Sequence, residues 1–242
     1  MNPETGEEVW RHSEGLIIHS SLAIDDGEIY FAEDRAPSKA SLEKGRLVDR
    51  NGTDQHLVSL DLYEGTKRWE KPQDLRGYSN CLYTTVEDGV LVLNGSKAGY
   101  KLEAFSTENG TRIWDQEFPW AKDHHGGKVQ HPVVFGGKVF AEERVFDLKS
   151  GEALQIPIPT RRGCGTMSAS AKNLFFRDYN HGMYDPMTQE RHDWAALRGG
   201  CWLNMIPAGG LLLTPEASSG CSCNNPIQTT AAFRPVSSLG KK

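Results

Sequence analysis

The chain has 242 residues, 38% of them hydrophobic and 24% charged, with a formal net charge of -5. That composition suits a globular domain, and its acidic balance argues against a polyanion-binding surface and so against nucleic acid. No apolar run approaches the roughly 20 residues of a membrane helix, so no membrane span is expected.

The first line, "MNPETGEEVW" (Met1 to Trp10), has neither the basic start nor the apolar core of a signal peptide, so no export address is expected within this chain. It does open a pattern. "PETGEEVW" (Pro3 to Trp10) returns as "LYEGTKRW" (Leu62 to Trp69) and as "STENGTRIW" (Ser106 to Trp114). Weaker copies follow at "DLKSGEAL" (Asp147 to Leu154) and "YDPMTQERHDW" (Tyr184 to Trp194). The anchoring glycines are Gly6, Gly65, Gly110 and Gly151, with Gln189 in that place in the fifth copy. After a longer first step the period settles at about 40 residues, the signature of a repeat architecture.

Each unit reads as short strands. Between Tyr83 and Trp114, "YTTV", "VLVL", "YKLEAF" and "TRIW" are strands, broken by a tight Glu-Asp-Gly turn and a "STENG" turn whose glycine allows φ > 0. "LAIDDGEIYF", "VVFGGKVFA", "ASAKNLFF" and "IPAGGLLLT" give the same hairpin signal further along, and no sustained helical period interrupts them. Four short strands per repeat describe a β-propeller blade. The expected fold is all-β, a single propeller domain over residues 1–242 made of four-stranded antiparallel blades. The polar stretch Ala36 to Gln55, between the second and third strands of a blade, reads as a surface insertion. The chain supplies one fourth strand at its start, four full runs, and a last run of three strands ending near Phe233. Five blades close if the opening strand completes the last blade; the alternative is an arc of a larger ring.

Strand order also sorts the reactive residues. Cys81, Cys164 and Cys201 fall in connections between blades, and Cys221 and Cys223 in a second-to-third-strand connection. His124, His125, His131 and His181 fall in connections on the same face. Loops on a rigid scaffold usually carry function, so this face is the candidate site. "DHHGGKVQH" lacks the ordered spacing of a zinc motif. Cys81 reads as a packed thiol. A bridge within Cys221-Ser222-Cys223 is disfavoured, because bridged Cα atoms prefer about 5.5 Å, whereas residues two apart on a strand lie about 6.5–7 Å apart. Two disulfides among Cys164, Cys201, Cys221 and Cys223 lead. A four-thiolate zinc site and free or redox-active thiols stand as alternatives. Glu142 and Glu143 read as a solvated strand edge.

The repeat resembles the quinoprotein (PQQ-like) repeat, in which an Asp, a Thr-Gly turn and a later Trp recur in each blade and the indole docks between neighbouring blades. Trp10, Trp69 and Trp114, with Gly6, Gly65 and Gly110, match that docking pattern. Ser106 replaces the Asp, Leu154 replaces the Trp, and Trp194 matches only with a shift. The last third, from "RRGCGTMSAS" (Arg161 to Ser170) onward, resembles the C-terminal part of quinoprotein-like propellers of planctomycete-type bacteria, which are typically exported. The resemblance implies a periplasmic or extracytoplasmic location. It also implies seven or eight blades, and hence an arc and a C-terminal fragment. Two functions follow from it. One is a non-catalytic module binding a protein, peptide or glycan, as outer-membrane protein assembly factors of this superfamily bind partners. The other is an oxidoreductase that uses pyrroloquinoline quinone with calcium. Such enzymes set two adjacent cysteines against the quinone, whereas this sequence has Cys-Ser-Cys, so no cofactor is the expectation. No G-x-S-x-G motif marks a hydrolase.

Overall fold

The computed structural model describes residues 2, 4–37, 54–78, 81–120, 131–195, 197, 199–201, 203, 205–216, 227 and 229–235. Its regular structure there is twenty β-strands, with short 3₁₀ turns at His19–Ser21 and Arg76–Tyr78 and no α-helix among the described residues. The chain divides into two compact units, Met1–Trp120 with Leu148–Gly151, and Ala121–Asp147 with Glu152–Lys242.

The first unit holds two antiparallel sheets. One is built from β1 (Leu16–Ile17), β2 (Ala23–Asp25), β3 (Glu28–Asp34), β4 (Gln55–Asp61) and β5 (Lys67–Pro72), with β1 and β2 both paired to β3. They form one inner strand interrupted by the 3₁₀ turn, and Ser21 repairs the break: its hydroxyl donates to the Ile18 carbonyl at 2.7 Å and accepts from the Ala32 N–H at 2.8 Å. The other sheet runs in order through β6 (Cys81–Glu87), β7 (Val90–Ser96), β8 (Tyr100–Ser106) and β9 (Arg112–Phe118). Asp26-Gly27 and Asp88-Gly89 close the inner hairpins with both residues at positive φ, the turn whose twist matches the strands it joins. Every residue of β7 is buried, as a strand covered on both faces requires. The core gathers Tyr30, Leu57, Tyr78, Leu82, Leu91 and Leu93.

The second unit holds three sheets. The first is β10 (Val133–Phe135), β11 (Lys138–Ala141), β12 (Arg144–Asp147) and β13 (Ala153–Leu154); the second is β14 (Ser168–Ala169), β15 (Leu174–Asp178), β16 (Asn180–Asp185) and β17 (Glu190–Trp194). The third has three strands, β18 (Ile206–Ala208), β19 (Leu211–Thr214) and β20 (Ala231–Phe233). The opening segment expected as a fourth strand carries none: residues 6–13 belong to no described sheet. The insertion does join the second and third strands of its sheet, with residues 38–53 outside the described set and Gln55 already the buried first residue of β4.

The recurring turn has one geometry. Asp61 accepts from the Tyr63 and Glu64 N–H groups at 2.9 and 2.8 Å, and Asp185 accepts from Met187 and Thr188 at 2.8 and 3.1 Å. Asn2 plays the same part for Glu4 and Thr5. These Asx turns pin the chain, and the incoming N–H groups hold the Asp61 and Asp185 carboxyls below their ordinary value. Against the turns lie the indoles. Trp10 Nε1 donates to the Leu62 carbonyl at 2.9 Å, Trp69 Nε1 to Thr107 at 2.5 Å, and Trp114 Nε1 to Leu148 at 2.9 Å. Each ring covers the turn's glycine so closely that an added Cβ at Gly65, Gly110 or Gly151 would stand 2.6 Å from it.

Gly110 therefore answers two constraints, a φ of +70° and the Trp69 ring, whereas Gly6 at +72° has nothing within 4 Å. Gly6→Ala should cost the left-handed strain alone, roughly 1–2 kcal/mol. Gly110→Ala should add overpacking of about 1–3 kcal/mol. Urea denaturation of the two variants measures the difference, and equal losses would contradict the docking geometry.

Candidate functional site

The face expected to carry function is only partly reactive. Cys81 is a strand residue, the buried start of β6, with its Sγ 3.7 Å from Ser96 Oγ. It was expected in a connection; the apolar run of β6 extends back to it. Cys164 is buried in the link between β13 and β14, and Cys201 is half-buried between β17 and β18. Cys201 Sγ accepts from Arg177 Nη1 at 3.2 Å, and Arg177 itself is 1% exposed. Among the described residues no disulfide joins two cysteines. Cys221, Cys223, His124 and His125 lie outside the described residues.

The two described histidines of that face are structural. His131 bonds the Pro132 carbonyl through Nδ1 and Thr166 Oγ1 through Nε2, each at 3.0 Å. Burial pulls its imidazole below the ordinary value. His181 was expected in a connection and instead lies within β16, fully buried. The reason is that the β15–β16 turn is reduced to Tyr179, at φ 59°. Burial first, and the nearby Arg177 charge with it, lower the His181 imidazole, while the Leu197 backbone offsets part of that.

Buried carboxylates are already matched. Glu33, fully buried, meets His12 Nε2 at 2.7 Å and Arg35 Nε at 2.8 Å. Arg35 reaches on to Glu70 at 2.9 Å, and Lys67 bonds Glu70 at 2.5 Å. The Arg35 guanidinium, followed by Lys67, holds the Glu70 carboxyl down to about 2. Glu103 accepts from the Tyr78 hydroxyl, from Gln73 Nε2 at 3.0 Å and from Arg112 Nη1 at 3.1 Å. Glu142 is not a solvated edge: it is buried and paired with Arg161, whose Nε lies at 3.1 Å. Glu143 beside it is exposed. These carboxylates are held by the protein's own cations and hydroxyls, which leaves them unsuited to a hard cation needing several free oxygens. No group of three or more His, Cys, Asp or Glu among the described residues is placed to hold a metal.

A different feature emerges from strand register. In β8–β9 the register shifts by one residue, so Trp114 stands opposite Ala104 while Ile113 bulges outward; in β4–β5 the same shift sets Trp69 opposite Ser59. A bulge of one residue is what lets the fourth residue after the glycine face the dock. The other two complete sheets keep a regular register. Leu154 takes that row opposite Val145, and His192 takes it opposite Met183. Trp194 then falls two residues further along, on the same face, opposite His181. It stacks on the His181 ring at 5.4 Å and 9°, and meets Phe233 edge-on at 5.7 Å. Its Nε1 is buried and has no partner among the described residues, unlike the other three docking indoles.

Beside Trp194 the fourth and fifth sheets leave a groove of about 750 Å³, lined by Phe175, Met183, Trp194, Leu212 and Phe233, with His192 and Arg234 at its rim. That volume is in the range of small-molecule and peptide sites. The groove is a candidate site in the second unit, and sequence spacing did not show it.

Successive antiparallel sheets with a recurring turn between their last two strands are the blades of a β-propeller built from PQQ-like repeats. The family model described as outer membrane protein assembly factor BamB matches residues 1–220, and the chain belongs to that family. The crystal structure of BamB from Moraxella catarrhalis is similar over 93% of this chain and 60% of its own, at 14% identity and a TM-score of 0.54. The Pan2 WD40 domain of Neurospora crassa is similar over 90% of this chain and 62% of its own, at 13% identity and 0.51. The computationally designed Ika8 protein is similar over 84% and 56%, at 11% identity and 0.52. At such identities the likeness is one of fold, and the chain spans about three fifths of the length of these structures. Among curated proteins none matches the sequence. No helix among the described residues is long and apolar enough to cross a membrane.

Two outcomes follow. Trp114→Phe should lose a made hydrogen bond and strand the Leu148 carbonyl, at about 1–3 kcal/mol. Trp194→Phe removes an unbonded donor and should cost under about 1 kcal/mol by the same measure; chemical denaturation compares them. The depressed His181 imidazole means that the unfolded chain binds the proton more readily. Its contribution is thus present above about pH 6.5 and lost as pH falls from there through the lower folded value. His131 acts in the same direction. Thermal melts between pH 7 and pH 5 should fall more steeply for the native chain than for His181→Phe; parallel profiles would contradict this.

Proposed function

We propose that this chain is a non-catalytic binding module, a propeller segment that holds a protein or peptide partner in the groove beside Trp194. The observation that carries the reading is that groove: a concave floor of apolar and aromatic side chains, with Trp194 stacked against the His181 ring. Preformed concavity with an aromatic floor favours binding, because little side-chain freedom is lost on contact. Membership of the family described as an outer membrane protein assembly factor supports a partner that is itself a protein. It also supports an extracytoplasmic site of action. A glycan partner is less favoured, since the groove floor is dominated by aliphatic and aromatic side chains.

Immobilised full-length chain should retain a saturable protein partner from an envelope extract. A double variant at two exposed groove residues, Leu211→Glu with Arg234→Glu, should release it at least tenfold faster, the consequence of about 1.4 kcal/mol lost at the contact. Retention unchanged by the double variant would contradict the reading. So would saturable thermal stabilisation by pyrroloquinoline quinone with calcium.

A further inference from the structure

The sheet β10–β13 and the sheet β14–β17 meet without an indole dock. In the docks that are made, the indole N–H reaches the second residue of the turn: Trp10 the Leu62 carbonyl, Trp69 that of Thr107 and Trp114 that of Leu148. Pro186 holds that place after Asp185. The turn itself is the same. The Gln189 N–H returns to the Asp185 carbonyl at 2.8 Å, as Gly65 returns to Asp61 at 3.0 Å and Gly110 to Ser106 at 2.9 Å. Yet Leu154 stands in the row where β5 and β9 carry tryptophan, and no donor meets the Pro186 carbonyl among the described residues. Gln189 is exposed, whereas Gly110 and Gly151 are buried under a ring.

A cavity lies beside this empty dock. A Cβ at the glycine position would stand 2.6 Å from a docked ring, so Gln189 bars an indole from lying across the turn, and the room is further in. About 420 Å³ is enclosed by Phe135, Lys138 and Phe140 on one side and by Lys172, Pro186 and Met187 on the other. That volume is within the range of ligand sites. Phe135 and Phe140 stack at 4.6 Å and 15° and give it a flat aromatic wall. Leu154 packs on the same apolar cluster as these two rings, and Met187 is 71% exposed. Two ammonium groups border the cavity. Lys138 Nζ donates to the Gly136 carbonyl at 3.2 Å, and exposed Lys172 is in no ion pair among the described residues. The Asp185 carboxylate nearby is engaged by its own turn, through the Met187 and Thr188 N–H groups.

We infer that this cavity is a docking site for a tryptophan in an acidic segment of a partner protein. The indole enters against Phe135 and Phe140, its N–H donates to the Pro186 carbonyl, and carboxylates flanking it pair with Lys138 and Lys172. The fold itself argues for the occupant. An indole closes the corresponding carbonyl in three turns, and an indole N–H taken out of water needs such an acceptor. Two ammonium groups outside any ion pair favour an acidic flank over a basic one. The cavity shares no lining residue with the groove beside Trp194, so either site stands without the other.

The probe is the end-blocked tripeptide Glu-Trp-Glu. Calorimetric titration into full-length chain should give saturable binding with a Kd below about 1 mM. Glu-Phe-Glu, which keeps the ring and the charges but lacks the N–H, should bind about fivefold more weakly, as for one lost hydrogen bond. Lys-Trp-Lys should bind at least tenfold more weakly, by like-charge repulsion. Lys172→Glu, at an exposed position, should cost severalfold, and Lys138→Glu with Lys172→Glu at least tenfold. The Leu211→Glu, Arg234→Glu variant of the groove should bind the tripeptide as the native chain does. No saturable binding by millimolar tripeptide overturns the inference. So does equal affinity for the tryptophan and phenylalanine peptides, or binding indifferent to the lysine variants. Loss of binding in the groove variant overturns it by moving the peptide to the groove. Tighter binding of N-acetyltryptophan than of the tripeptide overturns it by making the occupant a small aromatic acid.

Discussion

The structure rests on one contact, repeated: an indole laid across a glycine whose missing side chain makes room for it, its N–H closed by a carbonyl of the same turn. Trp10, Trp69 and Trp114 make it with Gly65, Gly110 and Gly151. It joins three separate demands. The turn needs φ near +70° at the glycine, the ring needs a surface without Cβ, and the buried N–H needs an acceptor. A single residue type satisfies the first two, which is why the pattern survives while the strands around it vary freely. Loss of a large buried aromatic typically costs about 3–5 kcal/mol, a sizeable part of the 5–15 kcal/mol that holds a domain together.

Where the contact changes, the surface changes with it. β5 and β9 carry a bulge that aims the tryptophan at its dock, and β13 and β17 do not. One residue fewer at the bulge puts Leu154 and His192 in the docking row. Trp194 is carried two residues on, to a place where it stacks on His181 and Phe233. The outcome is a buried donor without an acceptor, next to a three-stranded sheet and an apolar groove. Departures from local rules tend to gather at functional sites, and here they gather at one place in the second unit.

Much of this frame was legible in the sequence. The Gly-to-Trp spacing, the Asp-Gly and Gly-Gly turns and the apolar runs predict the strands and their order, because each is a local constraint. The bulges were not legible, since a register shift is decided between two strands and leaves no mark on either alone. Burial of Glu33 and Glu142 was missed for a similar reason. Their partners His12 and Arg161 come from other segments, and only the fold brings them within 3.1 Å. Burial of His181 depends on a one-residue turn at Tyr179, where the sequence offers no glycine. The cysteine pattern drew attention to a face whose described members are a strand residue, a buried residue and a thiol beside Arg177.

The family gives the chain its frame. The central claim is that satisfied docks hold the sheets of the first unit firmly, whereas among the described residues the fifth sheet has only three strands and no such dock. Amide hydrogen exchange along the full chain tests this most directly, since protection follows local opening free energy. The account predicts the slowest exchange in β6–β9 and much faster exchange, with an early opening, in β18–β20. Equal protection of β20 and β7 would contradict it.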